Sequence, residues 1–86
     1  MRHRPQSDNA LAISIARGAA TNDLVQLHGA ILSALERHPV PLAVVNVFTP
    51  ALRIAETAHG PECRLAVAQA VQAHIDSADP PIDPQN

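Results

Sequence analysis

Val40-Pro41-Leu42-Ala43-Val44-Val45-Asn46-Val47-Phe48-Thr49-Pro50 is the stretch on which the fold turns. Its β-branched side chains suit a strand, but no second run in the chain offers a pairing partner, and a lone strand leaves its backbone N–H and C=O groups unsatisfied. The segment therefore reads as a buried helix starting near Pro41, where a proline is tolerated at the first helical position, with Asn46 as its one polar member. Pro50 cannot donate to the carbonyl four residues back, so a break or sharp kink is expected at Thr49, with helix resuming to about Ala58. With this run helical, the chain is all-α.

Upstream, Asp23 to His38 (DLVQLHGAILSALERH) carries Leu24, Leu27, Ile31 and Leu35 at steps of three and four. Val25 and Leu32 widen that stripe to nearly half the cylinder, an arc broader than one neighbouring helix covers. His38-Pro39 stops the helix, because a residue before proline is pushed out of the α region. Ahead of it, Ser7-Asp8-Asn9 offers N-cap side chains for a first helix over residues 8–20, which Gly18 weakens near its end. Thr21-Asn22-Asp23 supplies the next cap after so short a gap that the two helices form a hairpin.

Downstream, His59-Gly60-Pro61 joins a C-terminal glycine to a helix-starting proline. In the helix that follows, to Ala78, Cys63, Ala66, Val67, Ala70, Val71 and His74 share one side, with Glu62, Gln69, Gln72 and Asp76 opposite. The expected organisation is a flexible basic N-terminus (1–7), a single compact bundle of four to five short helices (8–78) and a disordered, proline-rich C-terminal tail (79–86).

Composition bounds the function. The chain has 86 residues, 47% of them hydrophobic, with net charge −2, one aromatic residue and one cysteine, Cys63. That is too short for an enzyme-sized cleft beside a separate core. A single cysteine excludes a disulfide scaffold and points to a reducing cytoplasm. No apolar run is long enough to span a membrane, and the basic start, Met1-Arg2-His3-Arg4, has no apolar stretch behind it to serve as a secretion signal. All six basic residues are arginine and sixteen residues are alanine, the mark of a GC-rich coding background such as a bacterium or its phages.

Three chemistries have candidate residues in the chain. His59 and Cys63 are zinc-ligand types four apart, but no second pair completes a site, so neither metal nor cofactor is expected. Cys63 in a first helical turn beside a histidine is a thiol-enzyme arrangement, yet Glu62 adjoins and no glycine-rich loop offers an oxyanion hole; no catalytic residue is assigned. A helix-turn-helix over Leu52 to Val71 would present Glu62, Gln69 and Gln72 with only Arg64 for phosphate, which disfavours nucleic acid as a partner. His28 and His74, each on or beside an apolar stripe, read as hydrogen-bonded structural residues, with pH-dependent association as the functional alternative. The pairs Arg53 with Glu56 and Asp23 with Gln26 read as wet helix faces.

What remains is a surface. Alanine-rich faces let helices approach closely, and a small chain with neither disulfide nor aromatic cluster gains from further burial. The expected function is that of a non-enzymatic regulator or adaptor, including a phage-type inhibitor, that packs its helices against another protein or a second copy. The contact or core residues expected to carry it are Leu24, Leu27, His28, Ile31, Leu35, Val44, Val47 and Phe48. A dimeric DNA-binding repressor is the second reading, and a Cys/His metal- or thiol-dependent enzyme the third.

Overall fold

The computed structural model describes residues 7–78, which form helices joined by short turns, with no strand among the described residues. The expected basic terminus, apart from Ser7, and the expected tail lie outside the described residues. Helix α1 (Asp8–Ala20) opens on Ser7, whose Oγ accepts from the Ala10 N–H at 3.1 Å. The chain then reverses over three residues. Thr21 donates its Oγ1–H to the Arg17 carbonyl at 2.9 Å. Asn22 takes the left-handed conformation (φ 58°) that asparagine tolerates better than most residues, and the Asp23 N–H reaches the Gly18 carbonyl at 2.8 Å. Asp23 in turn caps α2 (Leu24–Arg37) by accepting from the Gln26 N–H at 3.2 Å, so its partner is backbone and not the Gln26 side chain.

The deciding stretch is helical throughout, with two departures from expectation. Helix α3 (Val40–Ala43) begins one residue before Pro41, and it is followed by a π-helical turn (Val44–Phe48) and α4 (Thr49–His59) without interruption. The expected break at Thr49 does not occur. Instead the Thr49 N–H reaches back five residues to the Val44 carbonyl, and Phe48 and Thr49 both keep right-handed helical angles. A wider turn accommodates the ring of Pro50, which in a regular helix would strike the carbonyl four residues before it. Nor is the stretch buried all round. Ala43, Val47 and Phe48 point inward, whereas Leu42 and Val45 keep 49% and 65% of their surface exposed. Gly60, at φ 101°, ends α4, and its N–H donates to the Ala55 and Glu56 carbonyls before Pro61 starts α5 (Pro61–Ala78).

Helix α1 is the hub: it packs against α2, α4, α5 and the π-turn. The core combines Leu11, Ile15, Ile31, Val47, Phe48 and Val67 with a large share of alanine, and no polar side chain is buried among the described residues. Small side chains set the spacing. At Gly18 an added Cβ would lie 2.8 Å from the Leu27 nitrogen and 2.9 Å from its Cα, so this glycine, expected only to weaken α1, lets the backbone of α2 approach α1 closely. The far end of the hairpin is tied by Asp8, whose Oδ1 lies 3.0 Å from His38 Nε2 and 3.6 Å from an Arg37 nitrogen.

Candidate functional site

The broad apolar arc of α2 divides into two faces. Leu27, Ala30, Ile31 and Ala34 close the core, and Leu35 packs partly against them. Rotated around the cylinder, Leu24, His28 and Leu32 follow at intervals of one turn, with Val25 beside them. Leu24 is 55% exposed, Val25 86% and Leu32 49%, so this outer face presents large aliphatic side chains to water. Next to it, Ser14, Val25, Gln26, Gly29, Ala30 and Ser33 line a shallow open groove between α1 and α2.

The eight residues singled out from the sequence therefore have different places. Leu27, Ile31, Val47 and Phe48 belong to the interior, and Leu35 and Val44 pack against its margin. Only Leu24 and the half-buried His28 lie on the outer face of α2. Val25 and Leu32 complete that face, and their offsets of two residues from Leu27 and one from Ile31, about 200° and 100° of rotation, carry the signal that separates the two sets. Val45 and Leu42, expected in the interior, are exposed for the same reason of helical phase.

His28 meets a partner that local spacing could not reveal. Its Nδ1 faces Nε2 of His74 on α5 within hydrogen-bond reach, and the ring centroids are 4.7 Å apart at a tilt of 49°. One nitrogen carries the hydrogen and the other supplies the lone pair. Burial, and then the neighbouring His28, hold the His74 imidazole below its ordinary pKa.

The candidates for thiol and metal chemistry, Cys63 and His59, differ in burial. Cys63 is 8% exposed and its S–H points to the Ala16 carbonyl, with Sγ 3.7 Å from the oxygen. Burial pushes its pKa up, which outweighs any lowering from its place in the first turn of α5. His59 is exposed and lines with Cys63 and Glu62 a shallow depression at the α1 end. Among the described residues no three His, Cys, Asp or Glu side chains are grouped to hold a metal ion. Glu56 faces Arg64 of α5 at 4.0 Å, and not Arg53 as the spacing suggested. Within the helix-turn-helix window, Arg64 thus has a carboxylate beside it. No helix among the described residues is long and apolar enough to cross a membrane.

Comparison with protein-family models, with curated proteins and with solved structures gives no match.

Proposed function

We propose that this protein is a non-enzymatic regulator or adaptor that docks another helix, first of all that of a second copy, on the outer face of α2. The observation that carries the reading is the exposure of Leu24, Val25 and Leu32 at helical spacing on a helix whose other face already closes the core. Together they offer an apolar stripe of the kind helix-in-groove and helix-pair recognition uses, with anchors two turns apart. Gly29 and Ser33 flank the stripe with little bulk, which lets a partner backbone come near. The reading places the protein in a reducing cytoplasm, and its arginine-only, alanine-rich composition suits a bacterial or phage inhibitor as one form of the role.

Light scattering during size exclusion, over a concentration series, tests it. Refractive index serves as the concentration signal, because the chain has neither Trp nor Tyr. The expected result is self-association that Leu24→Asp with Leu32→Asp abolishes while the far-UV circular dichroism stays unchanged. A monomer at every concentration, indistinguishable from the double variant in mass and in every cellular effect, overturns the reading. Retention on heparin at physiological salt that Arg53→Ala and Arg64→Ala remove would replace it with nucleic-acid binding.

A further inference from the structure

The His28–His74 contact has a property that no other polar contact among the described residues shares: both members are bases, and the bond between them tolerates only part of their titration. With both rings neutral, one N–H donates to the facing lone pair. With a single added proton the bond persists, because the charged ring donates to the neutral one. With two, an N–H confronts an N–H, and two positive charges meet across ring centroids 4.7 Å apart. We infer that His28 and His74 form a proton-operated latch, which holds the C-terminal half of α5 against α2 while it carries at most one charge and releases it once both rings are charged.

The setting favours release over compensation. One turn away on α2 the neighbours of His28 are Leu24 and Leu32, and around His74 on α5 they are Ala70, Val71 and Ile75, none of which stabilises a cation. The charged groups of the packed elements are engaged or directed elsewhere. On α1, Asp8 serves Arg37 and His38 at the far end of the hairpin, and Arg17 is exposed. On α2, Asp23 caps its helix and Glu36 is exposed. On α4, Glu56 faces Arg64 of α5, while Arg53 and His59 are exposed. On α5, Glu62 is exposed and Asp76 accepts from Gln72 at 2.9 Å on the water side. Helix α3 and the π-turn contain no titratable side chain. The ion pairs among the described residues therefore leave the latch alone, and none of their carboxylates is paired with His28 or His74. The lowered pKa of His74 agrees with this setting.

Release has a place to act. His28 stands between Leu24 and Leu32, so letting α5 go widens the apolar face of α2 on its His28 side. That consequence rests on α2 being the docking face; the latch does not.

The test is an NMR titration of the full chain from about pH 8 to about pH 4.5. It follows the imidazole resonances together with amide exchange corrected for its intrinsic pH dependence. The expected result is a coupled two-step titration of His28 and His74. Its second step coincides with about tenfold faster exchange at residues 71–78 relative to residues 11–16, the size expected when a hydrogen bond is lost and a repulsion gained. His28→Gln and His74→Gln, which still hydrogen-bond but do not titrate, flatten the profile, and His38→Gln leaves it intact. Where either glutamine variant loses its fold, His28→Phe with His74→Leu fills the contact with apolar atoms and gives the same flat profile. Unaccelerated exchange in the parent chain, or acceleration that survives in the non-titrating variants, overturns the latch, whatever the self-association experiment shows.

Discussion

Two glycines in neighbouring helices give opposite answers to the same substitution. Gly18 and Gly29 both occupy helical positions, and alanine gains about 0.5–1 kcal/mol over glycine in a helix interior. At Gly29 an added Cβ meets nothing within 4 Å, so Gly29→Ala keeps that whole gain. At Gly18 the same carbon would stand 2.8, 2.9 and 3.1 Å from the nitrogen, Cα and Cβ of Leu27. Two of those atoms are backbone inside α2, so relief requires the helix to move, and one methyl forced into a packed interior costs about 1–3 kcal/mol. The net for Gly18→Ala is a loss centred on about 1 kcal/mol, and at most about 2.5 kcal/mol, once the helical gain is subtracted. The assay is urea unfolding followed by far-UV circular dichroism, since the chain lacks Trp and Tyr for fluorescence. With a slope of about 1–3 kcal/mol per molar urea, the two midpoints move apart by several tenths of a molar or more, in opposite directions from the parent. Equal midpoints, or a Gly18→Ala variant at least as stable as the parent, would refute the close approach of α1 and α2.

Phe48, 2% exposed and the one aromatic side chain, anchors the π-turn; Phe48→Ala should cost about 3–5 kcal/mol, seen as a large fall in the urea midpoint. Cys63 should react with a disulfide reagent at mildly alkaline pH far more slowly in the native chain than in urea, because burial both shields the thiol and raises its pKa; equal rates would refute its burial. His74 sets the sign of a pH dependence. Its pKa in the fold lies below the ordinary 6.5, so on acidification the unfolded chain takes up the proton first. Stability conferred by the neutral ring is complete above pH 6.5 and declines as the pH falls through that value toward the folded pKa; thermal melts of the parent and of His74→Gln across this window should diverge. Asp8→Ala, which unties a partly exposed carboxylate from His38 and Arg37, should lower stability by no more than about 1 kcal/mol, and by less in high salt.

The helices were legible because their boundaries are written in local chemistry: Ser7 and Asp23 as caps, His38-Pro39 as a stop, and Gly60-Pro61 as a stop and restart all act within a few residues. Three features were not legible, each for a reason of scale. Pro50 forbids a regular turn but does not dictate whether the chain breaks or widens, and the choice of widening was made by Val47, Phe48, Ala51 and Ala55 all finding places in one core. The arc of α2 showed a surplus of apolar residues without saying which edge faces inward. Leu27 and Leu24 look alike in sequence, and it is Leu27 whose backbone comes within 3 Å of an added Cβ at Gly18 on α1. The His28–His74 pair joins positions 46 residues apart on helices that pack through tertiary contacts, beyond the reach of local periodicity.

The π-turn also decides what repeat the segment can use. Ala43, Val47, Ala51 and Ala55, all buried, recur every four residues, and over those three steps a regular α-helix at 100° per residue would drift by about 120° away from the core. One additional residue taken up in a wide turn removes about 100° of that drift and leaves the four on nearly one line. The segment therefore holds a spare residue in its length. Deleting one position from Val44–Phe48 while replacing Pro50 would shorten the rod by a residue and return it to a regular helix, with Ala43, Ala51 and Ala55 still on nearly one line toward the core. In this region a single-codon deletion exchanges a wide turn for a regular one while the flanks on both sides keep their faces, and the proline marks which of the two forms the chain now occupies.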